Sequence, residues 1–420
     1  MRLLFIHQNF PGQYKHLARY KAMDPANEVV GIGDAANLKG RPVPPGVTVL
    51  GYPSPKDGSP ETHPYLRGVE GAVRRGQALV RAGLELKRRG FVPDVICAHA
   101  GWGESLYLKD VFPDSKLLNF YEFYYRAEGA DVGFDPEFPS SFDDALRART
   151  RNATHLLSLA STDWGITPTR WQHAQFPELV RGRISVLFDG IDTDVVTPDP
   201  AAVLMLPERG ITLSRKDEVI TYVARNLEPY RGFHVFMRAL PDLLARRPRT
   251  HVVIVGGDDV SYGRRAPDGH SWREVMLQEV GARLDPDRVH FLGKVPYDRF
   301  LTILRVSSAH VYLTYPFVLS WSMLEAMAAG CLVVGSATAP VMEAISDGET
   351  GLLADFFDRS ALVHAVERAL DDPQGSAAIR ERARRLVVER YDLARRCLPA
   401  HDALLTALAT GAPLPPPGLG

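Results

Sequence analysis

Short apolar, β-branched runs alternate with longer amphipathic segments along the whole chain. In the first half the runs fall at 3–7, 28–32, 47–52, 94–98, 116–121 and 184–188. In the second half they fall at 219–224, 251–255, 289–292, 310–314 and 332–335. Continuous apolar strands separated by helix-length segments predict parallel sheets covered on both faces. The polar, turn-rich stretch 189–217, with Pro198, Asp199, Pro200 and Arg209-Gly210, predicts the hinge between two halves. The expected architecture is therefore α/β: two doubly wound, Rossmann-like domains, 1–198 and 199–390, facing each other across a cleft. A chain of 420 residues is too long for one ordinary core, which agrees with two domains. Residues 411–420, rich in proline and glycine, predict a disordered tail.

Composition narrows the class. Hydrophobic residues make up 45% and charged residues 24%, as in a soluble globular enzyme. Lys and Arg total 49 against 50 Asp and Glu, so no global field argues for nucleic acid. The apolar run at the N-terminus is too short for a secretory signal and reads as a buried first strand. No apolar run approaches the length of a membrane span. Cys97, Cys331 and Cys397 are far apart and odd in number, which fits a reducing, cytoplasmic setting. No Cys/His cluster has metal-ligand spacing, so no metal is expected.

In a doubly wound sheet, ligands bind beyond the carboxyl ends of the strands. Residues 225–232 read Arg-Asn-Leu-Glu-Pro-Tyr-Arg-Gly at such an end. Arg225 and Arg231, placed just before a helix that begins near Gly232, are candidates to clamp a pyrophosphate, because guanidinium gives paired bonds to phosphate oxygens. Two surface arginines at a helix start are the plain alternative. After the first strand, Gly12 and Gln13 occupy a loop where backbone can approach a phosphate, although an ordinary strand-to-helix turn would look the same. His99 and Glu122 follow the fourth and fifth strands, and Glu122 could equally pair with Arg126. The stretch 121–139 sets Phe123, Tyr124, Tyr125, Phe134 and Phe138 among Glu128, Asp131 and Asp135, which suits a carbohydrate acceptor or a loop anchored by buried rings. A basic segment at 66–89 reads as a solvated helix face, with docking on anionic lipid as the minority alternative.

Residues 320–330 read Ser-Trp-Ser-Met-Leu-Glu-Ala-Met-Ala-Ala-Gly and predict a helix start carrying Glu325. Taken locally, Ser322-x-x-Glu325 is a capping box. The backbone amides of Leu319, Ser320, Trp321 and Ser322 are placed to face a diphosphate.

This segment resembles the nucleotide-sugar helix of retaining family 4 glycosyltransferases, in which a glutamate holds the donor ribose. Phe317 stands where that family usually has the first glutamate of an acidic-x7-acidic pattern. The 225–232 loop is similar to the family pattern Arg-Leu-x-x-x-Lys-Gly, with Arg231 in the lysine place. Phe291-Leu292-Gly293-Lys294-Val295 looks like the loop whose backbone, around Lys294 and Val295, meets the nucleobase. Val341-Met342-Glu343, Asp347 to Leu353 and Phe188 to Asp192 follow in family order, with Asp189 in a place often held by Asn. The family often has Gly-Gly where only Gly12 remains, and a histidine where Glu122 stands.

The resemblance implies a GT-B fold whose last helix, 391–410, crosses back to the first domain. It implies transfer of a sugar from a nucleoside-diphosphate sugar to a hydroxyl acceptor, a saccharide, lipid-linked glycan or small molecule, with retention and without a metal or other cofactor. Arg225, Arg231, Glu122 and His99 would be the catalytic residues. Gly12, Gln13, Lys294, Val295, Leu319, Ser320, Trp321, Ser322 and Glu325 would hold the donor. Peripheral contact with the inner face of a membrane is carried as an expectation from the basic segment. The competing readings are sugar-nucleotide epimerisation, glycoside phosphorolysis, and a sugar-nucleotide-binding protein without catalysis, which Phe317 favours.

Overall fold

The computed structural model describes residues 1–414. The chain divides into two compact units: Met1–Gly190 together with the C-terminal segment from Leu393, and Ile191–Asp392. The division falls at Gly190/Ile191 rather than at 198/199. Gly190 sits at φ +97°, and a Cβ there would lie 2.8 Å from the Leu393 Cα, so a glycine is required at this close approach.

The first unit holds seven parallel strands: β1 Arg2–Ile6, β2 Glu28–Asp34, β3 Thr48–Tyr52, β4 Val95–His99, β5 Lys116–Phe120, β6 Trp164–Thr167 and β7 Ile184–Val186. They lie in the order β3-β2-β1-β4-β5-β6-β7. β1 shows how both faces are covered. Leu3 and Phe5 point into one apolar layer, which includes Tyr14, Leu17, Leu404 and Leu408. Leu4 and Ile6 point into the other, with Leu79, Leu86, Leu108 and Val111. Side chains that alternate between two buried layers give the unbroken apolar run seen in the sequence. The helix Leu398–Thr410 supplies Leu398, Leu404, Leu405 and Leu408 to the first layer, so the end of the chain is part of this unit's core. Leu414 also packs against that layer, and the rest of the expected tail, 415–420, lies outside the described residues.

The second unit opens with an antiparallel hairpin, β8 Val203–Leu206 and β9 Ile211–Ser214. Its main sheet consists of β10 Val219–Asn226, β11 His251–Gly257, β12 Val289–Phe291, β13 Ala309–Tyr312, β14 Val333–Ser336 and β15 Leu352–Ala354. The order is β12-β11-β10-β13-β14-β15 and every pairing is parallel.

Three features escaped the periodicity. β6 is short and carries Gly165, so it lacks a β-branched run. β8 and β9 lie inside the stretch read as hinge; they alternate buried and exposed positions, a weaker signal than a continuous run. β15 is only three residues long and follows a turn closed by Gly348 N–H to the Gly351 carbonyl.

Candidate functional site

In a parallel open sheet, strand order reverses direction at a switch point, and the loops leaving there diverge to form a crevice. In the second unit this lies between β10 and β13, and in the first between β1 and β4.

At the first of these positions β10 extends through Arg225 to Asn226, and a turn at Pro229–Arg231 leads into the helix Phe233–Arg246. The two candidate arginines have different surroundings. Arg225 is exposed. Arg231 is buried: its Nη1 donates to Thr314 Oγ1 at 2.8 Å and to the Val318 carbonyl at 3.0 Å. Its guanidinium also lies 5.2 Å from the Tyr262 ring centre. Arg231 therefore ties the loop after β10 to the loop after β13. Gly232, at φ +67°, makes this approach sterically feasible, since a Cβ there would stand 2.3 Å from Leu313 Cβ.

Glu228, which the sequence reading left without a role, is fully buried in the same loop. Its Oε1 accepts from the Ser261 amide at 3.0 Å, and its Oε2 from the amides of Tyr262 at 3.1 Å and Gly263 at 2.8 Å. Asn226 Nδ2 adds a bond to Ser261 Oγ at 2.9 Å. Residues 261–263, in the loop after β11, are thus anchored to the loop after β10. The available signal was a carboxylate between two arginines, which reads from sequence as a surface ion pair.

Lys294 is exposed but localised. A Cβ on Gly257 would come within 2.4 Å of Lys294 Cε and 2.5 Å of Asn226 Oδ1, so the lysine lies over the end of β11 beside Asn226. Val295 packs with Leu292 against the core of this unit. Phe317 is 5% exposed and sits in a group of rings, with its centre 4.9 Å from Tyr262 and 5.6 Å from Tyr230. Tyr230 in turn lies 4.7 Å from Tyr315. The position that resembles a carboxylate site is therefore part of an apolar cluster.

The helix expected at 320 runs from Trp321 to Ala328, and its cap is Ser320, not Ser322. Ser320 has the extended backbone of a cap (φ −80°, ψ 142°), and its Oγ accepts from the Ser322 amide at 3.3 Å. The Ser322-x-x-Glu325 capping box is consequently absent, because Glu325 lies too far along the helix to reach back to the cap amide. Of the amides expected to face a diphosphate, that of Ser322 is used by the cap, and that of Ser320 donates to Tyr312 Oη at 2.9 Å. Leu319 is buried, and Trp321 is 46% exposed. Glu325 Oε1 accepts from Tyr297 Oη at 2.7 Å. Burial, followed by the neighbouring Glu325, raises the Tyr297 phenol well above its ordinary range, so it keeps its proton and acts as the donor.

In the first unit, His7 follows β1 and His99 ends β4. His7 Nδ1 accepts from the Asn9 amide at 2.9 Å, and His99 Nδ1 from the Gly101 amide at 3.1 Å. The His99 ring stacks on Trp102 at 4.1 Å and 11°, and His7 meets the same indole edge-on at 4.6 Å. Burial, with His99 and Arg41, lowers the His7 pKa to about 3, so it is neutral. Gly12 (φ +49°) closes its loop directly on His7, where a Cβ would lie 2.6 Å from the ring. Gln13 is half-buried in the same turn. Glu122 Oε2 lies 3.5 Å from His99 Nε2; the carboxylate meets the histidine and not Arg126. His155, missed from sequence, is buried across Gly101 from His99, and burial lowers its pKa to about 4.

The basic segment forms the helix Arg67–Arg88. Arg74 pairs with Glu70, while Arg88 and Arg89 pair with Glu85. Arg75 and Lys87 donate to the carbonyls of Trp102 and Val111. Arg75 and Lys87 tie the helix to its own unit. Among the described residues no helix is long and apolar enough to cross a membrane.

Comparison with known proteins follows the same division. Residues 25–196 match the family described as Glycosyl transferase family 4 group, and residues 207–386 match Glycosyl transferases group 1. The chain is 30% identical over 197 residues to a D-inositol 3-phosphate glycosyltransferase of Corynebacterium efficiens, covering 46% of this chain and 44% of that protein. It is 32% identical over 193 residues to a GDP-mannose-dependent alpha-(1-6)-phosphatidylinositol monomannoside mannosyltransferase of Mycolicibacterium smegmatis, covering 45% and 48%. The match thus spans less than half the length of these curated relatives. Among solved structures, sucrose-phosphate synthase from Thermosynechococcus elongatus superposes with a TM-score of 0.73 at 17% identity, over 98% of this chain and 100% of that one. Anabaena HepE, solved in complex with UDP and glucose, superposes with a TM-score of 0.68 at 17% identity, over 97% and 100%. At these identities the likeness establishes the fold: two Rossmann-like domains of GT-B type.

Proposed function

We propose that this chain, which carries a glycosyltransferase family 4 domain followed by a glycosyltransferases group 1 domain, is a retaining glycosyltransferase. It moves a sugar from a nucleoside-diphosphate sugar to a hydroxyl acceptor. The observation that carries this reading is the Arg231 bridge at the switch point of the second unit, where a buried cation orders both loops of the crevice. The names of the relatives and the UDP in the HepE structure support a sugar-nucleotide donor.

In this reading the donor diphosphate meets exposed Arg225 and Lys294, each placed at a strand end, while Arg231 holds the loops in position and contributes its charge. Positive charge at the leaving diphosphate stabilises the negative charge that develops as the glycosidic bond breaks. Each charge-assisted bond is worth about 1.5–3 kcal/mol. Cationic side chains can supply this stabilisation without a metal. Glu325 accepts from the donor ribose as well as from Tyr297. The leaving phosphate takes the acceptor proton on the same face, which retains the anomeric configuration and requires no separate base. His99, fixed by the Gly101 amide and by Trp102, and Glu122 beside it serve the acceptor side.

The test is a panel of nucleotide sugars screened for protection against thermal unfolding, followed by turnover of the best one in excess chelator and assignment of the product anomer by NMR. Inversion, or metal-rescuable loss of activity, would overturn the corresponding part of the mechanism. Phe317 favours a second reading, a sugar-nucleotide-binding protein without catalysis, because its apolar cluster stands where a sugar-touching carboxylate is expected. Donor binding with neither hydrolysis nor transfer would select that reading.

A further inference from the structure

A cavity of about 480 Å³ opens in the first unit, lined by Tyr124, Arg126, Glu128, Arg149 and Asn152 among others. Its size lies within the range of small-ligand sites, roughly 300–1,000 Å³. One wall is held by side-chain to backbone bonds. Asn152 is 2% exposed and holds both backbone groups of Tyr125: its Oδ1 accepts from the Tyr125 amide at 2.9 Å, and its Nδ2 donates to the Tyr125 carbonyl at 2.8 Å. The Arg151 guanidinium lies 4.9 Å from the Tyr125 ring centre and fixes the outer side. Tyr124 packs inward against Phe176, with ring centres 5.4 Å apart.

The lining is rich in donors. Arg126 and Arg149 are exposed, and among the described residues neither guanidinium forms a hydrogen bond or an ion pair. Both act on the Tyr124 phenol, whose pKa burial raises, so Tyr124 remains a hydroxyl donor at neutral pH. Against these stands one carboxylate, Glu128, which leaves the lining with one net positive charge. The helices Phe142–Arg151 and Ala153–Ser161 end and begin at Asn152, so their opposed dipoles largely offset there and the arginines decide the sign.

We propose that this cavity binds the phosphate group of the acceptor, with Arg126 and Arg149 gripping its oxygens and Tyr124 donating a third bond. Two guanidiniums without partners among the described residues, beside a hydroxyl donor in this cavity, match a phosphate oxyanion better than a neutral sugar. This deepens the proposed glycosyltransferase reading, on which its role as acceptor site rests.

The experiment titrates the full chain with glycerol 1-phosphate, with glycerol, and with phosphatidylglycerol vesicles, in parallel with UDP. Glycerol 1-phosphate or the vesicles should bind and glycerol should not. Arg126→Gln and Arg149→Gln should each weaken that binding about tenfold, the loss of one charge-assisted bond. Binding of the soluble phosphate assigns a free phosphorylated acceptor; binding of vesicles alone, equally lost in both variants, assigns a lipid headgroup. Binding of neither glycerol 1-phosphate nor the vesicles by the parent chain, or binding unchanged when both arginines are replaced, overturns the proposal. UDP binding should be the same in all variants. If UDP fails to bind while phosphate binding depends on both arginines, the donor reading falls and this anion site stands.

Discussion

Tyr297 and Glu325 meet as donor and acceptor, 2.7 Å apart, between the first residue of one helix and the fifth residue of another. The bond orients one carboxylate oxygen of Glu325 by a neutral phenol that donates its proton to it. It also shows that Glu325 is not a helix-cap residue. Glu325→Gln should weaken UDP binding about tenfold, as loss of a charge-assisted bond to ribose does. The melting temperature of the unliganded chain should change little, because Gln can still accept from Tyr297. Isothermal titration and thermal unfolding check the two halves. Equal UDP affinity in both proteins would refute the ribose role.

Ser320 and Ser322 separate cap from bystander. Ser320→Ala should cost about 1 kcal/mol of unfolding free energy, the usual penalty for losing a cap. Ser322→Ala should cost less, since among the described residues its hydroxyl bonds only the Ser320 Oγ, at 2.9 Å. Denaturant unfolding of the pair decides; the reverse order would restore the Ser322 cap.

Arg225 and Arg231 should differ in kind. Arg231→Ala leaves Thr314 Oγ1 and the Val318 carbonyl without their donor inside the protein, and should destabilise by about 2–3 kcal/mol. Arg225→Ala, at an exposed position, should leave the unfolding midpoint unchanged and lower UDP affinity. A stable Arg231→Ala protein would show that the loop bridge does not hold the crevice.

Glu228 should behave as an anchor. Glu228→Ala leaves three amides, at 261–263, without their shared acceptor, and should destabilise by about 3 kcal/mol. Hydrogen exchange at these amides reads the local effect. Protection equal to that of the parent chain would be fatal to the assignment.

Glu104 predicts a pH dependence with a definite sign. It is fully buried, accepts from Tyr52 Oη at 2.7 Å, and burial raises its pKa from 4.5 to about 7. Between these values the folded chain holds a proton that the unfolded chain has released, so stability falls as pH rises from about 4.5 to 7. The loss is up to about 3 kcal/mol. Glu104→Gln, which mimics the neutral acid, should flatten this slope and be the more stable protein at pH 8. His7 acts with the opposite sign: its depressed pKa removes stability as pH falls below about 6.5. Unfolding free energies at pH 5, 6.5 and 8 test both.

What could be read from the chain follows from the range of each physical cause. Buried parallel strands require unbroken apolar runs, so the doubly wound class, most of its strands and the loops at strand ends were legible in the order of residues. Arg225, Arg231, His99 and Glu122 could be singled out because they stand at the ends of those strands, and Glu325 because its segment 320–330 resembles the family's nucleotide-sugar helix. Their tasks could not be assigned, because a task depends on partners distant in sequence. Burial of Arg231 is decided by Thr314 and Val318, the acceptor role of Glu325 by Tyr297, and the anchoring role of Glu228 by the amides at 261–263. Ser320 took the cap because the chain arriving from β13 is extended at that residue, whereas local spacing favoured Ser322. The sequence by itself determined most of the strand segments and which residue types stand at their ends, since burial periodicity is a local property. Only the tertiary structure decided which charges are buried and paired, since that depends on loops brought together where strand order reverses.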